Sequence, residues 1–374
     1  MARRNELRYF TGAAIKKQKI LIYLSKVAIV ILFVVSMTIH SYDNNLTNIA
    51  YNSLNVTDII INPHNTNVLY VGIDRNGLYR SVDMGKSWIY CSMELPNHII
   101  KIAFDPIEKV VYAGTLRGLF ASYDGDNWTK LEDFAVHDIF IQPTEPSKIY
   151  IHGVSPGLIV SSIEHTWEGI NTPVKQVFLL PVATDPFDSG IIYFTMNRFD
   201  RGLVIYDGWN DGGIYKSSDY GKTMEKVNSL KSEIFLISSR NTSVMYGTEE
   251  NTILKSINRG ASFKEIKTME SPIRGLIINP LDNNILYAVT DYYRYTNNAE
   301  LDFSLSRIFK SIDAGETWQK ISDFPANKVV MDPFNPDILY AGTPGAGILK
   351  STDAGKTWKV SNSGIKTSEG INLK

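Results

Sequence analysis

One tyrosine returns seven times along this chain, as Tyr70, Tyr112, Tyr150, Tyr193, Tyr246, Tyr287 and Tyr340, at intervals of about 38 to 53 residues. A period of that length marks a supersecondary unit copied along the chain, and such units bury their apolar faces only by packing on one another. In six of the seven units a proline stands six or seven residues before the tyrosine, in NPHNTNVLY, DPIEKVVY, QPTEPSKIY, DPFDSGIIY, NPLDNNILY and DPFNPDILY; the fifth unit lacks it. Short runs such as DIIIN, KIAFD, DIFIQ, GLIIN and KVVMD precede the prolines. Proline ends one strand, a turn follows, and the tyrosine closes a second strand, so each unit opens as a β-hairpin.

A second marker lies about ten residues beyond the tyrosine: SVDMGKSW from 81 to 88, SIDAGETW from 311 to 318 and STDAGKTW from 351 to 358, with weaker copies SYDGDNW, SSDYGKTM, SINRGASF and the eroded SSIEHTW. Serine and aspartate oxygens bond nearby backbone N–H groups, glycine supplies a positive φ, and the closing aromatic packs onto the sheet. Segments such as GLYR, GIYK and GILK before the marker and a polar-apolar alternation after it place the turn between strands three and four. The residues assigned to this structural role are Ser81, Asp83, Gly85 and Trp88; Asp124 and Trp128; Asp219 and Gly221; Asp313, Gly315 and Trp318; and Asp353, Gly355 and Trp358.

The octet resembles the Asp-box, or BNR repeat, of sialidases, sortilin-like domains, xyloglucanase-type glycoside hydrolases and photosystem II stability factor-like proteins, over about residues 56 to 364. That resemblance implies an all-β fold, a seven-bladed β-propeller with four strands per blade, closed into a ring that protects the sheet edges. Asn44 to Asn55 is expected to add a strand to the last blade. A motif present in every blade cannot mark one active site, so its carboxylates are expected to be structural.

Ahead of the repeats, Ile20 to Ile39 is apolar apart from Ser25, Lys26, Ser36 and Thr38, a length suited to one transmembrane helix. Arg3, Arg4, Arg8, Lys16, Lys17 and Lys19 precede it against Glu6 alone, and the next basic residue is Arg75. This bias predicts a cytoplasmic basic N-terminus over 1–19, a membrane anchor over 20–41 and an exported propeller over 42–374. A cleaved signal segment is the alternative, since Lys26 leaves an uninterrupted apolar core only from Val27 to Ile39; the propeller is then secreted.

Two units break the spacing. Tyrosine and marker serine lie ten or eleven residues apart in five blades, but 24 apart from Tyr193 to Ser217 in blade four and from Tyr287 to Ser311 in blade six. Both insertions fall between strands two and three, on the face opposite the marker turns, with one blade between them. Loops on a rigid frame vary without unfolding it, so function is expected there. The expected binding rim comprises Arg198, Phe199, Arg201, Tyr206, Trp209, Tyr292, Tyr293, Arg294 and Tyr295, an aromatic and arginine mixture suited to a protein partner. The insertions packing on each other as a lid is the plainer alternative. A glycan groove is another: Asp200, Asp207, Asp211, Asp291 and Asp302 would then supply two carboxylates about 5 to 9 Å apart.

Composition narrows the rest. With 38 Lys and Arg against 39 Asp and Glu, nothing favours a nucleic-acid partner. The single cysteine, Cys91, forms no internal disulfide, and the six histidines fall at no metal-ligand spacing, so neither metal nor cofactor is expected. The R-I-P motif expected of sialidases is absent. DRNGLYR resembles the D-x-G-G-x-Y-R phrase of xyloglucanase-like enzymes, with Asp74 at the acid position and Gly77 the only glycine kept. In size and blade number the chain is most similar to the photosystem II stability factor-like group, which implies a binding or assembly role.

Overall fold

A computed structural model describes residues 54–366 except 146, 154–157, 162–165, 171–177, 189, 198–211, 233, 291–293, 296–300 and 303–305. The expected membrane segment, 20–39, lies outside the described residues; among those described, no helix is long and apolar enough to cross a membrane.

The described residues form one compact unit that holds seven four-stranded antiparallel sheets. Blade one shows the plan, with Val56–Ile61, Leu69–Ile73, Gly77–Ser81 and Ile89–Tyr90 paired in chain order. The first strands are Val56–Ile61, Ile99–Phe104, Val136–Gln142, Phe178–Thr184, Phe235–Ile237, Ile273–Ile278 and Lys328–Met331, and each packs on the first strands of both neighbours, the last returning to the first. First strands therefore line the axis, and the ring is closed.

The proline turn owes its shape to the side chain just before the proline, or before its counterpart in blade five. The Asp105 carboxylate accepts from the N–H groups of Ile107 and Glu108, Asp332 from Phe334 and Asn335, and in blade five Ser238 takes the place. These are Asx-type and Ser-type turns, which is why the unit without proline still turns. Blade seven has four strands of its own, ending in Lys359–Val360, so it needs no completing strand from the N-terminal side. Of the stretch expected there, Leu54 forms a parallel bridge with Ala346, Asn55 is described beside it, and the residues before Leu54 lie outside the described ones.

The marker turns join strands three and four as expected. In blade seven the Ser351 hydroxyl donates to Asp353 and accepts from the Gly355 N–H, while Asp353 accepts from the Thr357 N–H and hydroxyl. The residue before the glycine is left-handed as well, with φ 59° at Ala354 and 62° at Met84. That conformation turns its carbonyl outward, to be gripped by the preceding blade. Tyr246 donates to Ala314, Tyr287 to Ala354, and Tyr340 across the closure to Met84. Lys255, Lys310 and Lys350, opposite those tyrosines in register, reach the same three carbonyls. In blades five, six and seven the repeated tyrosine is thus a bolt between blades.

The closing tryptophans differ from expectation. They pack into the seam with the preceding blade rather than only onto their own sheet. Trp88 donates to the Ser361 carbonyl of blade seven and Trp128 to Cys91 of blade one, while Trp358 stands edge-on to Phe324 of blade six at 5.5 Å. A ring of wedge-shaped sheets leaves its largest gap at the outer seam, and indole fills it.

Candidate binding face

In each blade the chain enters the first strand at one face and turns into the second at the other. Strand two to strand three loops therefore share a face with the connections between blades, and the marker turns occupy the opposite face. The blade-four insertion follows Ile192–Asn197 and rejoins at Gly213–Ser217; that of blade six follows Leu286–Thr290 and rejoins at Arg307–Ser311. Both leave the same face, with blade five between them.

Arg198, Phe199, Arg201, Tyr206, Trp209, Tyr292 and Tyr293 lie outside the described residues, as do Asp200, Asp207, Asp211 and Asp291. Arg294 and Tyr295 form a short strand paired with Leu301 and Asp302, so the blade-six insertion carries its own hairpin. Nothing in the sequence pattern announced that hairpin, because two-residue strands are too short to show alternation.

Near the axis on this face, four first strands each contribute one charged residue. Lys328 of blade seven lies 2.8 Å from Asp58 of blade one, and Lys101 of blade two lies 2.9 Å from Asp138 of blade three. Asp58 is 2 % exposed and also accepts from the Ile59 and Ile102 N–H groups. Burial alone would raise its pKa, yet Lys328, Lys101 and those hydrogen bonds outweigh it and hold the carboxyl below its ordinary value. Asp138 in turn holds the Lys101 ammonium well above the usual lysine value. Three of the four strands are bulged here, with register shifts at Val56/Asp58, Ile99/Lys101 and beside Val136, which re-aims these side chains.

Asp74, the residue matching the xyloglucanase-like phrase, leaves the second strand of blade one on the same face. Its carboxylate lies 2.6 Å from His98 Nδ1, and its N–H donates to the Asn55 carbonyl. It is an engaged turn residue. Among the described residues, no group of three or more His, Cys, Asp or Glu is placed to hold a metal ion.

A cleft of about 530 Å³ opens between blades five and six at the root of the blade-six insertion. Lys267, Thr268, Met269, Glu270 and Ser271 form one wall; Thr290, Arg307, Phe309, Trp318 and Lys320 form the other.

No protein-family model matches the chain. A xyloglucanase of Hypocrea jecorina is 22 % identical over 331 residues, covering 69 % of this chain and 38 % of the relative. The crystal structure of a GH74 enzyme from Niastella koreensis superposes with a TM-score of 0.64 at 20 % identity, over 83 % of this chain and 54 % of that one. YCF48 from Cyanidioschyzon merolae gives a TM-score of 0.55 at 13 % identity, over 80 % of this chain and 96 % of that one. What they share with this chain is a fold. The chain spans only about half, or less, of the two glycoside hydrolase-type proteins.

Proposed function

We propose that the chain is a binding or assembly scaffold, held on the outer side of a membrane through residues 20–39, whose propeller takes a protein partner on the rim raised by blades four and six. The observation that carries this reading is that both oversized loops leave one face around a single blade, on a frame otherwise regular. A rigid ring with two adjacent variable loops is suited to recognition. Full-length chain and a form lacking 197–211 are recovered from solubilised membranes with whatever they hold; the full chain retains a partner that the shortened form loses. Equal recovery by both overturns the reading.

The similarity to the Hypocrea xyloglucanase favours a second reading, a carbohydrate-active hydrolase or glycan-binding propeller. Glycoside hydrolysis needs a carboxylic acid with a raised pKa beside a second free carboxylate. Asp58 is held ionised by its lysines, and Asp74 is engaged by His98, so neither supplies that acid. The same preparations incubated with xyloglucan decide it: new reducing ends, absent from a mock preparation made without the chain, establish the hydrolase.

A further inference from the structure

The cleft between blades five and six has properties that no other part of the fold combines, among the described residues. One wall continues from the fourth strand of blade five, Lys264–Thr268. At five residues it is the longest outer strand of the seven, where four blades end in strands of two residues. Being outermost, it leaves one row of backbone groups unpaired, and its last two residues, Lys267 and Thr268, border the cleft. Three cations, Lys267, Arg307 and Lys320, line the space against Glu270; Lys320 is ion-paired with Asp323 just outside it, and Arg307 donates to the Ser306 carbonyl. Ser271 is 2 % exposed, and its hydroxyl has no hydrogen-bond partner although it borders the cleft. An unpaired buried hydroxyl is destabilising, and a ligand that supplies an acceptor removes that cost.

The geometry points to this cleft as the docking site for an extended, acidic peptide segment of the partner, which adds a strand to Lys264–Thr268 and directs its carboxylates to Lys267, Arg307 and Lys320. An exposed strand edge recognises main chain, and flanking side chains set the sequence preference. Acidic sugars match the cations equally well, but they have no N–H row to pair with the strand. The assignment rests on the protein-binding reading and makes it specific: blade five lies between the two insertions, so a strand bound at its edge lies between their points of departure.

The test uses the full-length chain and fluorescein-labelled hexapeptides of alternating glutamate and valine, with lysine-valine hexapeptides and a glucuronate tetrasaccharide as comparisons. The acidic peptide raises anisotropy and slows amide exchange of Lys264–Thr268. The double variant Lys267→Glu/Lys320→Glu, both at exposed positions, binds it about tenfold or more weakly and gains affinity for the lysine peptide. Ser271→Ala weakens the acidic peptide while leaving the melting temperature equal or higher, since an unpaired polar group has been removed. Equal binding of both peptides, indifference to the charge reversal, or binding of the tetrasaccharide in place of the peptide each overturns the assignment. If the peptide fails while the 197–211 deletion still loses its partner, the cleft assignment falls and the scaffold reading stands.

Discussion

Aspartate in the marker turn does two jobs with one carboxylate, since the same oxygens that close the turn also fix its charge. In blade seven, the hydroxyl and N–H of Thr357 hold Asp353 down at a pKa of about 2, and Thr317 does the same for Asp313. An unfolded aspartate titrates near about 3.9. A folded value lowered in this way gives stability that is fully present above the unfolded pKa and is lost as pH falls through the folded one. Melting temperature should therefore drop between about pH 4 and about pH 2, and Asp353→Asn should flatten part of that drop. Blade five shows that the amide fits, because Asn258 accepts from the Ser262 N–H and donates to the Ser262 hydroxyl. Carboxyl NMR titration checks the site directly: a midpoint for Asp353 near the unfolded value would remove the argument.

At the level of strands, hairpin order and turn position were legible in the sequence because they follow from punctuation: proline after a short apolar run, glycine after aspartate, tyrosine at a fixed distance. The axial charges were present in the same runs and went unread. DIIIN, KIAFD, DIFIQ and KVVMD each begin with a charged residue, Asp58, Lys101, Asp138 and Lys328, alternating in sign around four consecutive blades. Reading each run alone, a leading charge looks like a solvated strand end; only ring closure brings Lys328 to Asp58. The use of the tyrosine hydroxyls between blades was illegible for the same reason, since partners from other parts of the chain decide it, whereas the hairpin at Arg294 and Tyr295 was missed because its two-residue strands show no alternation. Asp58→Ala tests the axial pairing. It strands Lys328 and leaves the Ile59 and Ile102 N–H groups without their acceptor, a loss expected to cost about 3 to 5 kcal/mol in urea denaturation. A cost below about 1 kcal/mol would place the pair among weak surface ion pairs.

Around the ring, among the described residues, the bolts are unevenly distributed. From blade five through blade seven and over the closure, tyrosine and lysine together grip the next turn, with the lysine ammonium 5.2 to 5.7 Å from the tyrosine ring in each case. From blade one to blade two, Arg80 grips the Asp124 carbonyl at 2.6 Å and Asp126 at 2.8 Å. In blades two and three the residue opposite the tyrosine is Ala121 or Val160, in blade four Lys216 faces Glu225 of its own blade, and the Tyr150 hydroxyl turns inward to Gln142. A closed ring opens first at its weakest seam, because only one seam need part for the neighbouring sheets to exchange with solvent. In native-state hydrogen exchange at rising urea, the second strands of blades three and four, Lys148–Gly153 and Ile192–Asn197, should therefore exchange before Leu286–Thr290 and Leu339–Gly342 of blades six and seven. Tyr340→Phe deletes one bolt at the closure, so it should lower global stability by about 1 kcal/mol and bring blade seven's exchange forward. Tyr150→Phe, whose hydroxyl bonds within its own blade, should leave the order of the seams unchanged. Uniform exchange of all seven second strands would mean that the bolts do not set where the ring yields. The order expected here places the yielding seams beside the blade-four insertion, so that the blade-four side of the proposed rim stands on the part of the ring best able to adjust to a partner, while the blade-six side stands on bolted seams.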